Sequence, residues 1–595
     1  MGSSGAGKTT LMDVLSNRKT IGTISGTITL NGLPLDISFE RITGYVEQMD
    51  VHNPEQTVRE ALRFSALMRQ EPSVPTSEKY AYVEKILDMM EMTHLGDALI
   101  GSLESGLGIS VEERKRLTIG MELVGKPKIL FLDEPTSGLD AQSSYNIVKF
   151  LRKLANHGMP LVCTIHQPSS ILFEHFDRLL LLARGGRTVY FGDIGKNSRT
   201  LLDYFETRGA RACAQSENPA EYILQVIGAG TAAVTMKQDW ADLWEQSDEC
   251  HAVDQELASI SSTARLPSAG TVGTPREFAT GEWFQFIQVY RRMNRSWWRD
   301  PEYNLRRFLQ GLFVGALNGI SFWQVGKSSS DLLLRVFSVF QVLVMGNSLI
   351  NLAQPMLMKQ RQYFRREYAS KFYGWRPFAL SIVLTEMPYL VITSVIVMVT
   401  AYWSIGLETD AVRGLYFWIM LVFFMFFSVS FGQAVGAACA NLSQASVINP
   451  FFSSFLILFA GVLSPPKSLA AFWRAWMYPI DPYHYFLEGV ITDVLHGIEV
   501  TCSQDDLIPV PGPTNTTCGD YFQAYFDAGA PGYIANPTDS GLCQFCAYAT
   551  GDEFYANYEW SYDNRWRDLG YLACYCVFNI FLVVGLIFLF RKPRR

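Results

Sequence analysis

Lys8 and Thr9 follow a run of small residues, Gly2-Ser3-Ser4-Gly5-Ala6-Gly7, and precede Thr10. The spacing is G-x-x-x-x-G-K-T, that of a loop that cradles phosphates. Its glycines let the backbone turn its N–H groups toward phosphate oxygens, the lysine adds a positive charge at the β- and γ-phosphates, and the threonine offers a hydroxyl to Mg²⁺. Residues Gly2, Ser3, Ser4, Gly5, Ala6, Gly7, Lys8, Thr9 and Thr10 are therefore candidate ATP contacts. Further along stand Gln48, the pair Asp133-Glu134, and His166. An acid at the end of a buried strand can hold Mg²⁺, and a second acid beside it can orient attacking water. The candidate metal set is Thr9, Gln48 and Asp133; the candidate catalytic set is Glu134, His166 and Gln48.

The elements that must position these groups are legible in the pattern. Residues 11–17 read as a helix whose positive end faces the nucleotide. Residues 23–32 alternate and end in Asn31-Gly32, which predicts a hairpin. The apolar runs 128–132 and 160–165 predict buried strands that deliver Asp133 and His166 at their ends. A phosphate loop ordinarily follows a buried strand. None precedes Gly2, so the sequence is expected to lack part of its N-terminal side.

Taken together, residues 2–230 resemble the ATP-binding-cassette ATPases. In that resemblance Gly2 to Thr9 match Walker A, Gln48 the Q-loop, and residues 129–133 Walker B. Glu134 matches the catalytic glutamate, residues 137–140 the D-loop, and His166 the switch histidine. One stretch departs. The family signature, with two adjacent glycines, is replaced by Ile109-Ser110-Val111-Glu112-Glu113. Valine blocks close backbone approach, and Glu112 adds like charge where a phosphate would sit. A cassette with its own hydrolysis residues and a degenerate signature resembles the C-terminal half of fungal pleiotropic-drug-resistance transporters of the G subfamily. The resemblance implies ATP and Mg²⁺ as cofactors. It also implies a partner N-terminal half carrying an intact signature, on the same polypeptide or another chain.

The totals agree. The chain has 595 residues and a formal net charge of −7, so no general basic character points to nucleic acid. Residues 1–300 are mixed and charged, whereas 305–595 hold long apolar runs. The expected fold is an α/β P-loop nucleotide-binding domain followed by an all-α polytopic membrane domain of six spans. The expected domains are 1–230, a linker and amphipathic connecting helix at 231–300, and a membrane domain at 301–595. The spans fall near 305–325, 333–354, 378–405, 413–439, 446–464 and 569–590. Residues 259–274 are rich in Ser, Thr, Gly and Pro and read as a flexible linker. Residues 282–299 interleave Trp283, Phe284, Trp297 and Trp298 with Arg291, Arg292, Arg295 and Arg299, which suits a membrane interface or, equally, a packing helix between domains.

Basic residues orient the spans. Lys359, Arg361, Arg365, Arg366, Lys371 and Arg376 crowd the loop after the second span, and Arg591, Lys592, Arg594 and Arg595 follow the sixth. Both are expected on the cytoplasmic side with the cassette. The basic loop, carrying Tyr363, Phe364, Tyr368 and Phe372, is the expected coupling element. The stretch 465–568 is then extracellular. It is acidic and holds Cys502, Cys518, Cys543 and Cys546, expected as disulfides in one of three pairings, together with the sequon Asn515-Thr516-Thr517. Residues 469–489 are apolar but broken by Pro479 and Pro482, and the resemblance implies that they re-enter rather than cross. Inside the spans Asn347, Glu386, Gln433 and Asn449 are candidates either for substrate contact or for helix–helix hydrogen bonds.

The function expected from all this is ATP-driven export of hydrophobic compounds across a plasma membrane; the alternative is a lipid or sterol transporter of the same family. A soluble cassette protein is excluded by the spans. A channel using ATP only as a signal is disfavoured by Glu134 and His166.

Overall fold

The computed structural model describes residues 1–595 except 31, 105, 229–238, 263–275, 408–409 and 592–595. Asn31 of the expected hairpin, most of the expected linker, and Lys592, Arg594 and Arg595 lie outside the described residues. The chain divides into two compact units. Among the described residues the first comprises Met1–Gln288 with Gln362–Pro377, and the second Val289–Arg361 with Phe378–Arg591.

In the first unit α1 (Lys8–Leu15) follows the phosphate loop. A parallel sheet is formed by β1 (Thr43–Val46), β2 (Ile129–Asp133) and β3 (Leu161–Thr164), in the order β1-β2-β3. The register sets Tyr45 beside Phe131, Phe131 beside Val162, and Asp133 beside Thr164. Strand β2 reads Ile-Leu-Phe-Leu before its aspartate, because a parallel strand covered on both faces must be apolar throughout. Met12, Phe39, Tyr45 and Phe131 form the core under α1. Two helices close the far side, α2 (Val58–Arg69) and α3 (Val111–Leu123), each opened by a capping box: Thr57 with Glu60, and Ser110 with Glu113. Helix α4 (Ala141–Asn156) is the crossover from β2 to β3, capped by Asp140. The antiparallel pair β4 (Arg178–Leu182) and β5 (Thr188–Asp193) carries a second core around Leu181, Val189, Leu201, Tyr222 and Trp244. The hairpin expected at 23–32 is reduced to a short ladder, Thr29–Leu30 against Leu33–Pro34.

The second unit is helical. Among the described residues five helices are long and apolar enough to cross a membrane: α6 (Ser329–Ala369), α7 (Trp375–Ile405), α8 (Ala411–Ala438), α9 (Leu442–Phe459) and α13 (Tyr562–Leu589). The sixth expected span falls on α5 (Pro301–Ser321), which is long enough but too polar to count with them. Arg306, Arg307, Gln310 and Asn318 interrupt it. Its packing nonetheless follows a membrane rule. Gly311, Gly315 and Gly319 recur every fourth residue and face Thr393, Thr400 and Ser404 of α7. A Cβ on Gly315 would lie 2.1 Å from Thr400 Oγ1, so only glycine permits this approach.

The segment expected to re-enter is two helices, α10 (Ala471–Ile480) and α11 (Pro482–Leu495), broken at Asp481-Pro482. Every residue of α11 is buried except Tyr485. Beyond it lies a small domain whose antiparallel sheet has the order β6-β8-β7: β6 (Ile508–Pro511), β7 (Tyr533–Ile534) and β8 (Leu542–Cys546), with α12 (Cys518–Asp527) packed on it. Of the three possible pairings the structure has Cys502–Cys546 and Cys518–Cys543. The C-x-x-C at 543–546 is therefore not a pair in itself: Cys543 reaches the start of α12 and Cys546 the irregular segment before β6.

Candidate nucleotide site

The loop that precedes α1 is built as a cradle. Gly5 and Gly7 take left-handed backbone conformations (φ 77° and 85°), and the space where their Cβ atoms would stand is open. No side chain caps α1, so the N–H groups of its first turn have no side-chain acceptor. Lys8 Nζ donates to the carbonyls of Gly2 and Ser3, both at 2.9 Å, folding the lysine back over its own loop. Ser3 Oγ is buried with no hydrogen-bond partner. A buried hydroxyl left unpaired costs about 1–3 kcal/mol, and an anion seated in the loop is the natural acceptor.

At the C-terminal end of β2 the acids meet this cradle. Thr9 Oγ1 donates to Asp133 Oδ1 at 3.2 Å, which brings the loop hydroxyl and the strand carboxylate to one spot. A hydroxyl and a carboxylate beside a phosphate cradle form the oxygen donor set that Mg²⁺ prefers, so these residues fit the ion. Gln48, exposed just past β1, donates from Nε2 to Glu134 Oε2 at 2.9 Å. Its amide therefore rests on the second acid rather than on Asp133. Glu134 itself sits in the left-handed region at φ 47°, a conformation uncommon outside glycine and concentrated at functional sites. His166 lies exposed two residues beyond the end of β3, and none of its contacts brings it to Asp133, Glu134 or Lys8.

One residue that the motifs do not mark joins these parts. Thr164, buried at the end of β3, donates from Oγ1 to Asp133 Oδ1 at 2.6 Å and accepts from the Glu134 N–H at 2.8 Å. One hydroxyl thus fixes one acid by its side chain and the next by its backbone. The signal was the register: the two apolar runs end together, so the last polar residue of β3 stands beside Asp133.

The departing stretch forms the N-terminus of α3. Ser110 Oγ accepts from the Glu113 N–H, and the Glu113 carboxylate accepts from the Ser110 N–H at 2.7 Å. Glu112 Oε1 takes Arg116 Nη2 at 2.7 Å and Asn146 Nδ2 at 3.4 Å. Burial works against its charge, but the Ser143 hydroxyl first, then Arg116 and Asn146, hold its carboxyl below the usual range. This helix end is closed by its own side chains.

Segment 362–377 packs entirely within the first unit. Ser370 Oγ donates to Glu122 Oε1 at 3.1 Å and receives Arg18 Nη2 at 3.1 Å; Arg69 binds the other oxygen of Glu122 at 2.5 Å. Arg366 Nη1 reaches the Val51 carbonyl and lies 3.2 Å from His52 Nδ1. Burial first, and then the Arg366 charge, hold the His52 imidazole neutral, well below its ordinary range. The basic segment is legible in the sequence, but its partners here, Arg18, Val51, His52 and Glu122, are not.

In the second unit the polar candidates are all engaged between helices. Glu386 accepts from Tyr303 Oη at 2.5 Å and pairs with Arg307 at 2.7 Å. Gln433 Nε2 donates to the Ile382 carbonyl at 3.3 Å. Asn449 Nδ2 bonds Asn351 at 2.9 Å and Gln354 at 2.7 Å, and Ser453 Oγ donates to Asn347 at 2.8 Å. Each contact ties one apolar helix to another.

Comparison with known proteins gives the families. Residues 1–137 match the family described as ABC transporter, and residues 166–265 and 284–494 match two families described as ABC-2 type transporter. Over its whole length the chain is 54% identical to ABC transporter G family members 14 and 21 of Dictyostelium discoideum, covering 42% and 41% of their lengths. It is 43% identical over 99% of its length to the Brefeldin A resistance protein of Schizosaccharomyces pombe, covering 39% of that protein. The chain thus spans about two fifths of the curated relatives it matches. Its N-terminal part thus matches an ABC-type ATPase cassette, and its C-terminal part an ABC-2 type domain with several helices apolar enough to cross a membrane.

Proposed function

We propose that this ABC-type chain is one half of a G-family exporter that uses ATP hydrolysis to move hydrophobic compounds out across the plasma membrane. The observation that carries the proposal is the convergence of Thr9, Asp133, Thr164, Glu134 and Gln48 on the phosphate loop. In this reading Lys8, the Ser3 hydroxyl and the loop amides hold the phosphates. Thr9 and Asp133, with Gln48 beside them, hold Mg²⁺, which when bound offsets phosphate charge. Glu134, kept in place through its backbone by Thr164, orients the attacking water and accepts its proton. His166 swings to the γ-phosphate from its exposed position once nucleotide is present. The self-closed end of α3 makes this chain a poor partner for a second copy of itself. The working unit therefore includes another half with an open signature helix.

The nucleotide-binding domain is 1–230, the connecting segment 231–300, and the membrane domain 301–595, with α5 as a sixth span. Its glycine face and its internally paired arginine support that assignment. The cassette and the basic segment 362–377 lie in the cytoplasm, and the disulfide-bearing stretch 465–568 lies outside. The resistance relative supports drug efflux over lipid or sterol transport as the activity.

The test uses the full-length transporter in lipid. Glu134→Gln should keep ATP bound while lowering turnover by about 100-fold or more. Lys8→Ala should weaken nucleotide binding itself. Near-normal ATPase in Glu134→Gln would overturn the site. Stimulation of wild-type turnover by sterols but not by hydrophobic drugs would overturn the cargo.

A further inference from the structure

Where three helices of the second unit meet, one carboxyl group is short of a donor. Asp568 on α13 is fully buried. Its Oδ1 accepts from Arg567 Nε at 2.9 Å and Nη2 at 2.8 Å, while its Oδ2 is buried with no hydrogen-bond partner. The same Arg567 Nη2 also donates to Glu488 Oε2 of α11 at 2.9 Å. Glu488 is fully served. Asn564 Nδ2 donates to its Oε1 at 2.8 Å, the Ser561 N–H lies at 3.4 Å, and His484 Nε2 stands 3.3 Å from Oε2.

One guanidinium therefore serves two buried carboxyls, and the position left over is Asp568 Oδ2. Both carboxyls are buried, but the Arg567 they share is 43% exposed, so its charge is partly screened by water and does not offset two carboxylates; such sites resolve the excess by holding a proton. The junction around it is tightly packed. A Cβ on Gly489 of α11 would stand 2.5 Å from Tyr416 Oη of α8 and 3.6 Å from Asp568 Cβ. A metal ion is not favoured either, since no cluster of three ligating side chains occurs among the described residues. The titratable groups facing Asp568 are Arg565 and Arg567 on its own helix, His484, Tyr485, Glu488 and, farther off, Asp493 on α11, Tyr416 on α8 and Tyr478 on α10. Of these only Arg567 donates to it; Arg565 is stacked on Tyr562 at 3.9 Å.

We propose that Asp568 is a proton-binding site: the acid carries an exchangeable proton on Oδ2 in the packed arrangement described here and yields it to water when the α8–α11–α13 junction opens. Asp568 then registers the pH of the side on which the junction opens, whatever the cargo. The proposal does not depend on the export reading, because its first readout is spectroscopic.

The experiment records infrared spectra of the full-length transporter in lipid across a pH series. A band of protonated carboxylic acid should vanish as pH rises, be absent in Asp568→Asn and persist in Glu488→Gln. In Glu488→Gln the arginine no longer serves two acids, so the midpoint of that band should fall by about one pH unit or more. The pH response of ATP turnover should flatten in Asp568→Asn, whose amide stands in for the neutral acid. A titrating band that survives Asp568→Asn, an unmoved midpoint in Glu488→Gln, or a wild-type spectrum with no titrating acid band would each overturn the proposal. If Asp568→Asn does not fold, the midpoint in Glu488→Gln alone decides.

Discussion

Thr164→Val removes one hydroxyl and almost no volume, so its effect isolates what that oxygen does. In the folded protein the hydroxyl makes two buried contacts, a charge-assisted one to Asp133 and one to the Glu134 N–H. A hydrogen bond to a charged group contributes about 1.5–3 kcal/mol, and a buried N–H left unpaired costs about 1–3 kcal/mol. Asp133 retains Thr9, so its loss is partial. Glu134 keeps only the exposed Gln48 amide on its carboxylate, and its N–H has no second acceptor among the described contacts: its backbone sits at φ 47°, and without the anchor it relaxes toward an ordinary conformation and shifts its carboxylate. If about 2 kcal/mol of that positioning is lost in the transition state, turnover falls about 30-fold. Nucleotide affinity should change much less, because the Thr164 hydroxyl bonds Asp133 and Glu134 rather than the phosphate loop. The assay is ATP turnover by the full-length transporter beside equilibrium ATP binding, with Thr164→Ser as the control that keeps the oxygen. Turnover within twofold of wild type in Thr164→Val, or equal damage by Ser and Val, would refute the reasoning.

The other predictions touch different parts of the chain. Arg307→Met should destabilise the membrane unit by about 3–5 kcal/mol because it strands Glu386 in a buried site, and Arg307→Met with Glu386→Leu should recover most of it; thermal unfolding in detergent checks this, and additive losses would count against the pairing. Asp552 sits below the ordinary carboxylate range: burial opposes its charge, but bonds from Tyr555, the Gly497 N–H and His496 prevail. Its contribution is therefore complete above the ordinary carboxylate value and is lost only as pH falls through the lower folded one. Proteolysis of the 497–552 region should accelerate only in strong acid, and Asp552→Asn should remove that dependence. Cys518→Ser opens a link of sequence separation 25 and should cost the loop domain about 3.5 kcal/mol, read by its chemical denaturation. Asn515→Gln should abolish any glycosidase-sensitive shift in mobility; a persisting shift would move the glycan elsewhere.

Much of the nucleotide site was legible because phosphate chemistry forces short, dense spacings: Gly2 to Thr9, and Asp133 beside Glu134. Thr164 was not legible, since a threonine at a strand end means nothing until register sets it beside Asp133. The apolar helices were visible from hydropathy. On α5 composition does not reveal that Arg307 pairs with Glu386, 79 residues later, or that the glycine ladder packs against α7. The disulfide pairing was open because spacing carries no information on which strand lies next to which. Hydrophobicity and local turn chemistry are written in neighbouring residues, whereas the partner of a buried charge is written anywhere in the chain.

Strand β8 bears both Cys543 and Cys546, and three residues along a strand point to opposite faces. The two links therefore leave the strand on its two sides, one to Cys518 and one to Cys502, with the shorter loop nested inside the longer. During synthesis neither link can close until residue 543 has emerged, and the outer one waits for 546. Cys502 and Cys518 are exposed to each other throughout that interval. Maturation of this domain is thus a problem of timing as much as of stability: an early 502–518 bond must be undone before β8 can be seated. A cell making this protein should depend on thiol exchange in an oxidising compartment, and slow exchange should show as retained, wrongly linked chains while the cassette is already folded.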